Sequence, residues 1–150
     1  MNLIHEFTLY ATLEDPMPIG EVPTGTRIFF GVKDGHIKGE RINAKLHGGG
    51  EWALLGPDGF IRIDVRLQAE TDDGAFFYAQ YSGLLEFSDA VQAALGGGES
   101  TDFENTYFYI NPRIETGDER YAWLNTTFFI GEGRVLSGGG VEYRVSRPEG

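Results

Sequence analysis

Hydrophobic and polar residues alternate with a period of two along most of the chain, and this alternation is typical of β-strands. In FIRIDVRLQAE (60–70), isoleucine, valine and leucine occupy one face, while arginine, aspartate and glutamine occupy the other. The same reasoning predicts about nine strands with short connections. They lie at 3–13, 27–35, 36–47, 51–57, 60–70, 75–87, 105–114, 121–131 and 141–146.

Turn residues separate these strands, and one segment has a helical pattern instead. Glycine accounts for 22 of 150 residues and falls between the apolar runs, where it marks turns. The turn KDGH predicts a hairpin between 27–35 and 36–47. SDAVQAALGGG (88–98) predicts one short helix, with Ser88 as its N-cap and Gly96 after its last turn.

Many strands and one short helix predict an all-β fold. We expect a single antiparallel β-barrel, lipocalin-like, of about 8–10 strands, with a sandwich as the alternative. It would form one domain over residues 1–150. The polar face of 60–70 is either exposed to solvent or part of a polar barrel interior. We expect Tyr121, Trp123 and Asn125 to share one face of a strand and to line the cavity, because Tyr and Trp combine apolar area with a hydrogen-bonding group. The alternative is that they seal one end of the barrel.

The net charge and the absence of cysteine exclude several classes of partner and site. Twelve basic and 23 acidic residues give a net charge of −11, which repels nucleic acid. The absence of cysteine excludes disulfides, thiolate metal sites and a cysteine nucleophile. MNLIHEFTLY does not read as a signal peptide and no stretch is long enough to span a membrane, so we expect a cytoplasmic protein without a membrane partner.

Three familiar kinds of site are not predicted. HGGGEW (47–52) looks like the oxyanion loop of esterases, but the G-x-S-x-G nucleophile motif is missing. The glycine triplets at 96–98 and 138–140 lack the Lys-Ser/Thr of a phosphate loop. The three histidines are far apart, and TDDG (71–74) is a typical turn. We therefore expect neither a metal nor another cofactor.

Several sequence blocks occur in an order that points to a known family. They are GERINAKLHGGGEWALLGPDG, DDGAFFY, YFYINPRIETGDERYAWLN and FFIGEG. In these blocks the chain resembles the bacterial domain of unknown function 3237, also called uncharacterised protein family 0311. The resemblance covers nearly the whole chain and implies an antiparallel β-barrel. The matching positions are Arg41, Glu51, Trp52, Asp73, Gly74, Tyr78, Tyr107, Phe108, Pro112, Glu115, Thr116, Tyr121, Trp123, Leu124 and Asn125.

Some members of this family look like cofactor-independent decarboxylases that convert lignin-derived phenylcoumaran carboxylic acids to stilbenes. The resemblance therefore implies a carbon–carbon lyase whose partner is a small aromatic carboxylic acid. Two positions depart from the family pattern. Members often have Arg-Thr where this chain has Tyr109 and Ile110, and a polar-Arg-Gly run where it has YSG at 81–83. Tyr81 and Tyr109 favour a more aromatic or phenolic ligand.

Such a reaction needs a base for the phenol, an acid for the leaving aryloxide and a cation for the carboxylate. We expect Glu51, Arg66 and Tyr121 to be catalytic, with Arg66 or Arg113 holding the carboxylate and Tyr121 or Glu51 moving protons. The expected substrate-binding residues are Arg41, Trp52, Tyr78, Tyr107, Arg113, Trp123 and Asn125. Two other functions stay open, a carrier without chemistry and another acid–base enzyme such as an isomerase or hydrolase. A homodimer would cover an apolar outer strand face.

Overall fold

Antiparallel strands form most of the protein, which a computed structural model describes over residues 1–149. The strands are β1 Leu3–Leu13, β2 Met17–Val22, β3 Gly25–Gly39, β4 Asn43–Leu55, β5 Phe60–Thr71, β6 Phe76–Glu86, β7 Phe108–Glu115, β8 Ile130–Val135 and β9 Val141–Pro148. Between them lie one α-helix, α1 Asp89–Leu95, and two 3₁₀ helices, Phe103–Asn105 and Glu119–Thr126. Within residues 1–149, no helix has the length and apolar character that crossing a membrane requires.

Eight of the strands close into a barrel. The sheet runs β1-β9-β8-β7-β6-β5-β4-β3-β2, and β1 also pairs with β3. This second pairing closes the ring and leaves β2 outside it as a ninth strand hydrogen-bonded to β3. Closure leaves no free edge within the ring. The predicted antiparallel β-barrel is confirmed.

Apolar side chains line the inside of the barrel. On β5, Ile63, Val65 and Leu67 are buried while Arg62 and Arg66 are exposed. An eight-stranded barrel has an interior just wide enough for side chains to fill it or to hold one small ligand. Of the two alternatives for the polar face of this strand, exposure to solvent is therefore the one observed, and the polar interior was wrong.

The hairpin predicted at KDGH does not form. β3 continues through this segment without a turn. Residues 32–39 pair with β1, and residues 26–31 and 36–38 pair with β4. Gly35 allows β3 to approach β1 closely here, since a Cβ at this position would lie 2.2 Å from the carbonyl oxygen of Tyr10. β2 was missed because Pro18 and Gly20 are weak strand formers.

The segment predicted as a strand over 121–131 is a 3₁₀ helix in its first part. Asp118 starts this helix, because its side chain accepts a hydrogen bond from the backbone N–H of Arg120. Leu124 is buried to 1% exposure among the core residues. This 3₁₀ helix, Glu119–Thr126, therefore covers one end of the barrel. β8 begins only at Ile130. The predicted α-helix is observed as α1, with Ser88 as N-cap and Gly96 as C-cap.

Candidate active site

A carboxyl group, Glu51, lies inside the barrel because of the glycines that precede it on β4. Ala44 and Leu46 face inward, and so do Glu51 and Ala53, so the alternation shifts by one residue between the two pairs. The register of β4 against β5 shifts between Leu46 and Gly49. A bulge of this kind adds one residue and exchanges the two faces of a strand. The glycines of HGGGEW therefore place Glu51 inside and Trp52 outside.

Glu51 lines a cavity of about 300 Å³ at the end of the barrel opposite the 3₁₀ helix Glu119–Thr126. Most lining residues are apolar, and Glu14 and Asp15 are the other ionisable ones. In the described chain, no lysine or arginine is among the residues that line this cavity. The lining consists of Leu13, Glu14, Asp15, Pro16, Ile28, Phe30, Glu51, Ala53, Ile61, Ile63, Leu85, Leu95, Phe108, Val135, Gly138, Gly139 and Val141.

The environment of Glu51 suits proton transfer. Burial, and to a smaller extent the charge of Asp64, together raise the pKa of Glu51 to about 7. The Oε2 atom is buried and has no hydrogen-bond partner among residues 1–149. A carboxyl with this pKa is present in both protonation states near neutral pH, so it can accept or donate a proton.

Two buried tyrosines lie within electrostatic reach of Glu51. The rings of Tyr81 and Tyr143 meet edge to face, with centroids 5.5 Å apart. Burial raises the pKa of both phenols, and the charge of Glu51 raises them further. Both therefore stay protonated at neutral pH, and a protonated hydroxyl can donate a hydrogen bond. Tyr143 was missed from the sequence, although its alternation with Val141 and Val145 signals an inward position.

The structure does not bring the other two predicted catalytic residues to Glu51. Arg66 lies on the outer face of β5, because the alternation that buries Val65 and Leu67 turns it outward. Tyr121 lies in the 3₁₀ helix at the opposite end of the barrel, where its hydroxyl donates to both carboxylate oxygens of Asp73 at 2.9 Å.

Three predicted binding residues hold the 3₁₀ helix in place and do not line the cavity. The guanidinium of Arg41 lies 3.8 Å from the ring centroid of Trp123 and also pairs with the carboxylate of Glu6. The amide of Asn125 bonds the backbone of Thr116 twice, at 2.8 and 3.0 Å. The expectation that Tyr121, Trp123 and Asn125 line the cavity was therefore wrong, because their segment is not a barrel strand.

The remaining predicted binding residues lie on the outer surface. Trp52 packs against Phe29, with ring centroids 5.1 Å apart. Tyr107 is 51% exposed. Tyr78 and Arg113 line an open groove on the outer faces of β6 and β7. Within the described chain, no group of three His, Asp or Glu side chains is arranged to hold a metal ion.

The sequence and the fold both match a known family. The model of DUF3237, described as a protein of unknown function, matches residues 1–147. The chain belongs to the DUF3237 family. A UPF0311 protein of Rhodopseudomonas palustris strain TIE-1 is 35% identical over 126 residues, which are 83% of this chain and 82% of that protein. A PR-toxin biosynthesis cluster protein of Penicillium roqueforti is 25% identical over 157 residues, covering 90% of this chain and 83% of that protein.

Solved structures share the barrel of this DUF3237 protein. A conserved protein of unknown function from Rhodopseudomonas palustris has a TM-score of 0.86 at 28% identity, over 97% of this chain and 96% of that one. A β-barrel-like protein from Acinetobacter baumannii has a TM-score of 0.79 at 25% identity, over 98% and 96%. An enzyme from Penicillium herquei has a TM-score of 0.73 at 21% identity, over 98% and 94%, which shows a common fold.

Proposed function

We propose that this DUF3237 protein is a cofactor-independent acid–base enzyme that acts on a phenolic molecule bound inside the barrel, with Glu51 moving the proton. One observation carries the proposal. Glu51 is a buried carboxyl with a pKa of about 7 and an unpartnered Oε2, in the wall of an apolar cavity. A general base works best when its pKa is near the working pH. Apolar cavities with a few polar groups are the usual form of small-molecule sites.

In this proposal, the carboxylate form of Glu51 accepts the proton of the substrate phenol. Such a base contributes on the order of 10²- to 10⁴-fold to the rate. Tyr81 and Tyr143 cannot take this role at neutral pH, because their phenols have raised pKa values and stay protonated. The two tyrosines instead place neutral hydroxyl groups in the interior near Glu51.

The specific reaction that we put first is the conversion of a phenolic phenylcoumaran carboxylic acid to a stilbene. Removal of the phenol proton breaks the ring C–O bond and gives a quinone methide and an aryloxide, which takes up a proton. Loss of carbon dioxide then returns an electron pair to the quinone methide and forms the stilbene double bond. The family resemblance supports this reaction, and so does the apolar wall of the cavity, because an apolar environment favours departure of a carboxylate as carbon dioxide.

A second candidate is an acid–base reaction on an uncharged phenol, such as an isomerisation or hydrolysis. The charge of the cavity favours it. Glu14 and Asp15 line the cavity together with Glu51, and no cation of the described chain is present to hold a substrate carboxylate. Like charges this close repel an anionic substrate. The two candidates share Glu51 as base and differ in the charge of the substrate.

The test uses metal-stripped protein with both enantiomers of a phenolic phenylcoumaran carboxylic acid, and with the matching uncharged alcohol. Stilbene absorbance and released carbon dioxide report decarboxylation, and chromatography reports any product of the alcohol. We expect turnover by the wild type and a loss of about 100-fold or more in Glu51→Gln. Glu86→Gln, an exposed carboxyl at the end of β6, is the matched control and should keep full activity.

The pH profile tests the role of Glu51 as base. We expect kcat to rise with pH through an inflection near 7, because only the deprotonated form of Glu51 accepts a proton. This inflection should be absent in Glu51→Gln. Full activity of Glu51→Gln would overturn the assignment. Binding of both compounds with recovery of unchanged ligand would show that the protein is a carrier.

A further inference from the structure

The outer face of the barrel carries a row of three polar side chains that point away from the interior, where Glu51 lies. Arg66 on β5 is paired in register with Gln80 on β6, and Gln80 is paired with Arg113 on β7. The three side chains point outward, because Leu67 and Tyr81, their inward neighbours, are buried. Side chains directly opposite on adjacent strands have Cβ atoms about 5 Å apart. Both arginines can therefore reach one ligand placed over Gln80.

These two arginines have no partner in the part of the chain that the structure describes. Of nine arginines in the sequence, six form ion pairs with acidic residues and Arg27 donates to the carbonyl oxygen of Trp52. Among residues 1–149, Arg66 and Arg113 alone make neither an ion pair nor a side-chain hydrogen bond. In a chain with a net charge of −11, acidic partners are plentiful. Two guanidinium groups without such partners, one on each side of Gln80, remain available to bind an anion.

Two carboxylates lie near the row, one on each of the two strands that carry the arginines. Asp64 lies two residues before Arg66, opposite Ser82, and Glu115 lies two residues after Arg113, opposite Tyr78. Neither comes within ion-pair distance of the arginines. A hollow of about 150 Å³ lies beside Arg113 on the side away from Glu115. Gln80, Tyr81, Ser82, Asn111 and Arg113 line this hollow, which offers an anion donors without an opposing carboxylate.

A larger groove of about 690 Å³ continues from this hollow. It exists because β7 pairs with β8 at only two positions, Tyr109↔Glu132 and Ile110↔Gly131. Beyond them, residues 124–128 lie beside β7 and leave an open furrow. Tyr78 lines the furrow from β6, and Phe128, 63% exposed, lines it from the other segment. The furrow therefore offers aromatic surface next to the arginine row.

We propose that the arginine row and this groove form a second binding site, on the outside of the barrel, for an aromatic carboxylate. Arg66 and Arg113 bind the carboxylate, and the side-chain amide of Gln80 donates a hydrogen bond between them. The aromatic ring lies in the groove against Tyr78 and Phe128. Guanidinium groups match a carboxylate in shape and charge and form paired hydrogen bonds with it. The site does not depend on the reaction proposed for Glu51, because the wall of the barrel separates the two.

The test is a calorimetric titration with 4-hydroxycinnamate, and with 4-hydroxycinnamyl alcohol as the uncharged analogue. We expect the acid to bind at least tenfold more tightly than the alcohol, and more weakly as salt is added. Arg113→Gln and Arg66→Gln should each weaken binding of the acid by at least tenfold. Arg62→Gln is the matched control, since it makes the same charge change on the outer face of β5 at an arginine already paired with Asp58. It should bind like the wild type.

Glu51→Gln separates this site from the cavity and should bind the acid like the wild type. Loss of binding in Glu51→Gln would place the acid in the cavity and overturn the proposal. Equal affinity for the acid and the alcohol would overturn it as well, as would equal affinity of Arg113→Gln and Arg62→Gln. A failure of the enzyme proposal shows separately, as full turnover by Glu51→Gln.

Discussion

Single glycines decide which side chains the barrel interior can hold. Gly48 and Gly49 have positive φ values of 78° and 134° and form the bulge that turns Glu51 inward. On β8, Gly133 faces the rings of Phe108 and Tyr143, where a side chain would have no room. The sequence shows these glycines but not their partners. Glu51 was named from the sequence and Tyr143 could have been, from its alternation with Val141 and Val145, whereas the role of Gly133 required the packing.

Gly133→Ala should destabilise the fold by about 1–3 kcal/mol, the usual cost of overpacking a core. An added Cβ would lie 2.7 Å from a ring carbon of Phe108 and 2.8 Å from one of Tyr143. Urea denaturation at neutral pH measures the change. Gly117→Ala is the control, because a Cβ there meets no atom within 4 Å. Equal stability of the two variants would contradict this packing.

At the scale of elements, the 3₁₀ helix Glu119–Thr126 shows where local pattern fails. Its sequence alternates like a strand, yet contacts distant in sequence fix its conformation. Tyr121 bonds Asp73 on the turn between β5 and β6, and Trp123 lies under Arg41 on the connection between β3 and β4. The strands with clear alternation, such as β1, β5 and β6, were located within a residue or two, because alternation follows directly from one buried face.

Leu124→Ala should destabilise the protein by about 2–4 kcal/mol, because it removes a side chain that is 1% exposed from the closed end of the barrel. Thr126→Ala, an exposed position in the same helix, should change the stability by less than about 0.5 kcal/mol. Chemical denaturation compares the two, and hydrogen exchange of residues 119–126 localises the effect. A small change in Leu124→Ala would mean that the helix does not seal the barrel.

For the whole molecule, two buried carboxyls respond to pH in opposite directions. Burial alone would raise the pKa of Glu6, but hydrogen bonds from Arg41 and Arg147 outweigh it and hold the pKa below its usual value. Glu6 therefore stabilises the fold as a carboxylate, and this contribution is lost on acidification through its folded pKa. Burial of Glu51 has the opposite effect, since its folded pKa lies above its usual value.

Between about pH 4.5 and 7.5, the wild type should lose about 3 kcal/mol of stability relative to Glu51→Gln. The pKa of Glu51 rises from 4.5 to about 7 on folding, so the folded state binds one more proton than the unfolded chain in this range. Stability then falls as pH rises and levels off once the folded group is ionised. Urea denaturation of both proteins across this range gives the difference, in which Glu6 and other groups cancel. Parallel pH curves for the two proteins would contradict the raised pKa.

The sequence by itself determined the fold class, the approximate strands and α1, because each follows from a repeating pattern of buried positions or from a local cap. It also named Glu51, Arg66 and Arg113 as candidates. Tertiary structure alone decided their arrangement. Glu51 lies inside and the two arginines outside, because a one-residue bulge and the pleat of each strand select the face. Closure of β1 on β3 and the placement of the 3₁₀ helix depend on contacts between residues far apart in the chain, and a local pattern does not contain them.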